Sequence, residues 1–251
     1  MRKLLTLTSR EVKSYFYSPI AYVVLCFFLL LTGFDFYMGV SFLARGQTQV
    51  TAIEAFFNSV PFWIGFLLIF PPITMRVFSE EFKLGTIEPL MTAPVRDWQV
   101  VLSKFFGALV FYIVLWLPSL LYFVFFQHIA KAQAANAMGA YWGSYLLLLL
   151  IGMFFISIGC FASVLTQNQI IAAVISFCVI VLFFFMGLVS FFVVNTSPAL
   201  RMLVDYFSTL EHMGDFSKGM IDSRRLAFYG SGTVLMLFLT HQVLIYRRWK
   251  S

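Results

Sequence analysis

The residues best suited to chemistry lie between two long apolar runs, in Arg76-Val77-Phe78-Ser79-Glu80-Glu81-Phe82-Lys83-Leu84-Gly85-Thr86-Ile87-Glu88. The whole chain has 17 Lys and Arg and 11 Asp and Glu, and seven of these charges fall within residues 76–97. A charge at the centre of a bilayer costs about 3 kcal/mol or more, so a segment this charged projects into water. There its ordered carboxylates and cations can dock another protein, and Glu80, Glu81 and Glu88 are expected to face solvent. The spacing predicts about two turns of helix over residues 78–84, broken at Gly85, where a positive φ is tolerated. Thr86 suits the N-cap of a second short helix, Glu88 suits its electropositive first turn, and Pro94 closes the unit. Such an elbow is a rigid knob, as a force-transmitting contact requires.

Two further stretches carry polar side chains at ordered spacing. Thr166, Asn168 and Gln169 form a very short turn between apolar runs. It forces two adjacent antiparallel helices, and its side chains can cap their ends. His212, Asp215, Gly219, Asp222 and Arg224 follow one another in a second polar loop. No second ligand stands at usable spacing from His212, so a metal site is not predicted and a hydrogen-bonded loop is. Catalytic signatures are missing: there is no Gly-x-x-x-x-Gly-Lys-(Ser/Thr), His-Glu-x-x-His or Gly-x-Ser-x-Gly.

The elements that position these residues follow from composition. Hydrophobic residues make up 61% of 251 and aromatics 19%. A spanning helix needs about 20 mostly apolar residues, and six stretches qualify, roughly 19–40, 56–75, 98–126, 142–165, 170–194 and 226–246. The fold class expected is all-α and integral to the membrane, with no room for a soluble domain. Cys26, Cys160 and Cys178 fall inside spans and read as small buried hydrophobes. Asp35 is the clearest embedded acid, and near the end of its span it is expected to reach water or a neighbouring helix. The 32 phenylalanines are expected mostly to face lipid or partner helices.

Six spans put both termini on one side. That side carries 11 Lys and Arg, including Arg2, Arg10, Arg76, Lys104 and Arg247, against 6 on the other. Excess Lys and Arg in short loops stay cytoplasmic, so both termini and residues 76–97 are expected in the cytosol. The basic balance needs no nucleic acid partner. Residues 2–17 read as an amphipathic helix lying in the interface plane. Leu4, Leu5, Thr8, Val12, Tyr15 and Phe16 form its apolar face, opposite Arg2, Lys3, Arg10 and Lys13. An amphipathic helix on the outer side is predicted after Pro198, carried by Leu200, Leu203, Val204, Phe207 and Leu210.

Residues 76–94 resemble the coupling segment of ABC-2 type permeases, whose pattern runs Arg-x-Phe-x-Glu-Glu-x-x-x-Gly-Thr-(Ile/Leu)-Glu-x-Leu-x-x-x-Pro. Pro89 stands where family members more often carry Leu. The Ser163-x-Leu-Thr166-x-Asn168-Gln169 run and the His212-to-Arg224 loop are similar to the gliding-motility-type branch, although Arg225 departs from its pattern. The resemblance implies an elbow helix over residues 1–18 and a six-helix transmembrane domain over 19–251, with an outer loop at 195–225. It assigns ATPase coupling to Arg76, Phe78, Glu80, Glu81, Phe82, Gly85, Thr86 and Glu88. It also implies a non-catalytic permease subunit in a bacterial inner membrane, without a cofactor of its own. Two ABC ATPase subunits would bind ATP and Mg, and a second permease copy or an auxiliary permease would complete the complex. Lipid-linked, glycan or protein cargo would pass along spans two and five. Two other readings are an intramembrane enzyme, which would need two facing embedded catalytic groups, and a scaffold that docks a partner without transport.

Overall fold

The computed structural model describes residues 2–44, 51–87, 89, 95–130, 138–192 and 205–250. Among them run ten helices: α1 (Arg2–Tyr17), α2 (Pro19–Ala44), α3 (Ala52–Phe57), α4 (Val60–Thr74), α5 (Ser79–Leu84), α6 (Asp97–Ala130), α7 (Met138–Leu165), α8 (Gln169–Phe192), α9 (Thr209–Ser217) and α10 (Ser223–Lys250). Six windows are long and apolar enough to cross a membrane: Pro19–Ala44, Val60–Leu84, Asp97–Phe126, Met138–Leu165, Gln169–Gly187 and Ser223–Arg247. The second of these continues past the end of α4 into α5. The protein is therefore an all-α, multi-pass membrane chain.

Helix α7 is the most buried span, while α2, α8 and α10 are the least. It packs against α10, α8, α4 and α6. Lipid tails are as apolar as leucine, so close packing rather than water exclusion holds such a bundle together. Here the packing is largely aromatic. Phe62 stacks on Phe66 at 5.7 Å, Phe66 meets Phe70 edge-on at 5.0 Å, and Phe70 meets Phe155 of α7 at 5.2 Å. Such pairs contribute about 0.5–1.5 kcal/mol each beyond area burial.

Three elements differ from expectation. The second span begins at Val60 rather than residue 56, because residues 52–57 are a separate helix. Thr51 Oγ1 accepts from Glu54 N at 3.2 Å, and Glu54 Oε2 accepts from Thr51 N at 2.9 Å. This capping box starts α3, which ends at Asn58, and Ser59 Oγ, accepting from Phe62 N at 3.1 Å, starts α4 anew. In the loop expected at 195–225, Leu200, Leu203 and Val204 lie outside the described residues. The run predicted through Leu210 is interrupted at Ser208, whose buried hydroxyl accepts from Glu211 N at 3.3 Å and caps α9. Leu210 therefore belongs to α9.

Helix α1 turns the expected face inward except at one position. Leu5 is 66% exposed, and the inward face carries Leu4, Leu7, Thr8, Glu11, Val12, Tyr15 and Phe16. It docks along α6, where Tyr15 stacks on Phe111 at 5.3 Å and Phe16 meets the same ring edge-on at 5.8 Å. The approach is close enough to require a glycine: a Cβ on Gly107 would lie 2.7 Å from that of Glu11.

Candidate coupling site

The chain leaves α4 at a break that the bundle itself satisfies. Pro71 and Pro72 remove two amide donors near the helix end. Tyr15 of α1 donates to the Ile73 carbonyl at 2.8 Å. Past Thr74, Ser163 of α7 reaches across, accepting from Phe78 N at 3.0 Å and Ser79 N at 3.1 Å and donating to the Met75 carbonyl at 3.2 Å. One hydroxyl thus serves three backbone groups at the helix break, and the Ser79 hydroxyl also donates to the Met75 carbonyl.

Helix α5 rests on that joint with its two acidic residues turned differently. Glu81 Oε1 lies 2.8 Å from Lys104 Nζ of α6, and both carboxylate oxygens of Glu11 on α1 accept from the same nitrogen at 3.3 Å. Lys104 is 2% exposed and sits 5.5 Å from the centre of the buried Phe78 ring. Arg10 approaches Glu81 at 4.0 Å. This corrects one expectation: the Glu81 side chain is only 14% exposed, and its carboxylate points into the protein. Glu80 is half-buried, Arg76 donates to Ser18 Oγ at 3.3 Å, and Arg247 of α10 lies 4.7 Å from the centre of the Phe82 ring.

The exposed part of the segment is the tip. Gly85 adopts φ 69°, the left-handed conformation that ends α5, and its amide bonds to the Phe82 carbonyl at 3.4 Å. Lys83, Leu84, Thr86 and Pro89 face outward, with Leu84 66% exposed. Ile87 tucks in beneath them, and Glu88 lies outside the described residues. Behind this exposed tip, the Glu11–Lys104–Glu81 ion pairs link α5 to α1 and α6 at once.

Sequence reasoning missed Lys104, Glu11, Ser163 and Arg247 as members of this site. The available signal was Lys104 itself, because a cation inside an apolar span calls for a partner.

The turn between α7 and α8 lies nearby. Thr166 Oγ1 accepts from Asn168 N at 3.1 Å, and Asn168 Oδ1 accepts from Ile170 N at 2.9 Å, capping α8, which begins at Gln169. At the other end of the bundle, α9 packs on α7, α8 and α3, and Asn58 Nδ2 donates to Ser217 Oγ at 3.0 Å. His212, 2% exposed, shares a hydrogen bond with the Tyr229 hydroxyl at 2.9 Å. Burial, together with the Arg225 cation, lowers its pKa to about 4. Arg225, the residue that departs from the branch pattern, pairs with Asp215 at 2.5 Å. Gly219 has φ 84°, and Asp222 Oδ1 accepts from the exposed Arg224 amide at 2.9 Å. Asp35 is buried beside Ser59 rather than opening to water. Among the described residues no cluster of three His, Cys, Asp or Glu side chains could hold a metal.

Six helices long and apolar enough to cross a membrane, a docked amphipathic helix and a broken elbow define a multi-pass membrane protein. The family described as ABC-2 family transporter protein matches residues 62–245, well over half of the chain, and the chain belongs to it. A comparison with curated proteins finds no match.

Proposed function

We propose that this chain is the permease subunit of an ATP-driven ABC-2 transporter, with the α4–α5 elbow receiving a separate ATPase. The observation that carries this reading is the Glu11–Lys104–Glu81 network, which ties the elbow to α1 and α6 immediately behind an exposed tip. ATP-driven closure of two ATPase subunits pushes on residues 83–86, and α1, α5 and α6 move as one body. A second permease copy, or a related auxiliary one, faces this chain, and spans two and five line the cargo path. The coupling end and both termini lie in the cytosol of a bacterial inner membrane. The short polar turn and the outer loop favour the gliding-motility-type branch.

Leu84→Asp tests the docking surface. The side chain is exposed, so insertion and thermal stability should hold while the ATPase no longer co-purifies or is no longer stimulated. An ATPase that binds and responds as before would remove the support for this reading.

A further inference from the structure

We propose that the groove between α1, the start of α2 and the α4–α5 joint binds an aminophospholipid. The phosphodiester is held by Lys13 and Arg76, and the ammonium by Glu80. The groove measures about 1140 Å³. Pockets of about 300–1,000 Å³ hold drug-sized ligands, so a headgroup with the start of its acyl chains fits. Its charges separate into two sets. Glu11, Glu81, Lys104 and Arg10 engage one another. Lys13, Arg76 and Glu80 also line the groove, and none has an opposite charge within ion-pair distance among the described residues. Arg76 spends one nitrogen on Ser18, and its buried Nε has no partner. A guanidinium and an ammonium beside one free carboxylate complement a phosphate followed by an amine.

The remaining walls suit a lipid rather than a soluble phosphate. Ile20, Val24 and Ile73 line the same groove and continue into apolar spans. Leu5 and Tyr17 stand at its edge, 66% and 82% exposed. Tyrosine at such a level matches the headgroup zone of a bilayer. The bound lipid wedges α1 against the joint that carries Glu81, so it is a resident component and not cargo.

The test is phospholipid retention by the purified full-length chain, read by native mass spectrometry and by thermal shift in nanodiscs. The probes are phosphatidylethanolamine, phosphatidylglycerol, diacylglycerol and soluble glycerol phosphate. Phosphatidylethanolamine should be retained best, and Lys13→Gln with Arg76→Gln should weaken it about tenfold or more. Glu80→Gln should shift the preference toward phosphatidylglycerol, and Lys218→Gln at the opposite end should change nothing. If Arg76→Gln lowers expression, Lys13→Gln alone, at an exposed position, still gives the answer. Equal retention of diacylglycerol, unchanged retention in the Lys13 variant, or binding of glycerol phosphate as tight as that of lipid would each overturn the proposal. The readout needs no ATPase, so its failure is separate from failure of the coupling role.

Discussion

Arg247, near the end of the last span, lies over the ring of Phe82 in the coupling helix at 4.7 Å. The same guanidinium donates to the Leu165 carbonyl at the end of α7. A single side chain therefore latches the start of the short turn and the last helix to the elbow. Helix α5, only six residues long, could not hold its position by its own hydrogen bonds. Removing the latch with Arg247→Ala should destabilise the chain by about 1–2 kcal/mol. It should also weaken ATPase stimulation at constant expression. Thermal unfolding and coupled ATP hydrolysis check this, and Arg247→Lys should fall between the two.

Lys104→Met should be among the most damaging single changes at this end. It strands two carboxylates that are now paired, and breaking a buried pair costs about 3–5 kcal/mol. Adding Glu11→Gln and Glu81→Gln removes the stranded charges and should restore most of the melting temperature. If stability returns and coupling does not, the network serves transmission rather than folding alone.

Gly107→Ala probes how α1 is seated. The new methyl would meet Glu11 Cβ at 2.7 Å, so α1 must lift from α6 and carry Glu11 away from Lys104. Overpacking of this kind costs about 1–3 kcal/mol. The same loss is expected whether stability is measured with or without ATPase, because the contact lies within the chain.

Much of this architecture was legible in the sequence because it rests on composition and local rules. Six apolar windows, the break at Gly85 and the caps at Asn168 depend on residues close in sequence. The Thr51–Glu54 capping box was equally readable, yet the apolar run from residue 56 hid it. Other features rest on contacts between distant segments. Glu11 reads as one more charge on an elbow helix until α6 brings Lys104 to it across 93 positions. The inward face of α1 was misread by one residue, Leu5 for Leu7, because Gly107 and Phe111 select the register. Glu81 read as solvent-facing because helical spacing alone cannot say which of two adjacent carboxylates turns inward.

Acidification should loosen the α9 end of the bundle. His212 titrates near 4 in the fold against about 6.5 when unfolded. Its folded pKa is depressed, so between these values the unfolded state binds the extra proton. Stability then falls as pH drops from about 6.5 toward 4, by up to about 1.4 kcal/mol per unit. Melting temperature against pH reads this slope. His212→Gln should flatten it, at the expense of a weaker bond to Tyr229 at every pH.

The last prediction concerns sidedness, on which the coupling role depends. From the 11-to-6 distribution of Lys and Arg, the α1 and α5 end is expected in the cytosol. Glu81 is a poor reporter, since its buried carboxylate is held by Lys104, but Lys83 and Lys218 are exposed at opposite ends of the bundle. Cys26 and Cys178 are exposed on spans and Cys160 is buried, so all three are first replaced by Ala. Lys83→Cys and Lys218→Cys are then treated in intact cells with a thiol reagent that does not cross the membrane. Position 218 should label at once, and position 83 only after the cells are opened. Labelling of Lys83→Cys in intact cells would place the elbow outside. No cytosolic ATPase could then press on it, and the transport reading would lose its mechanism, although the six-helix fold would stand.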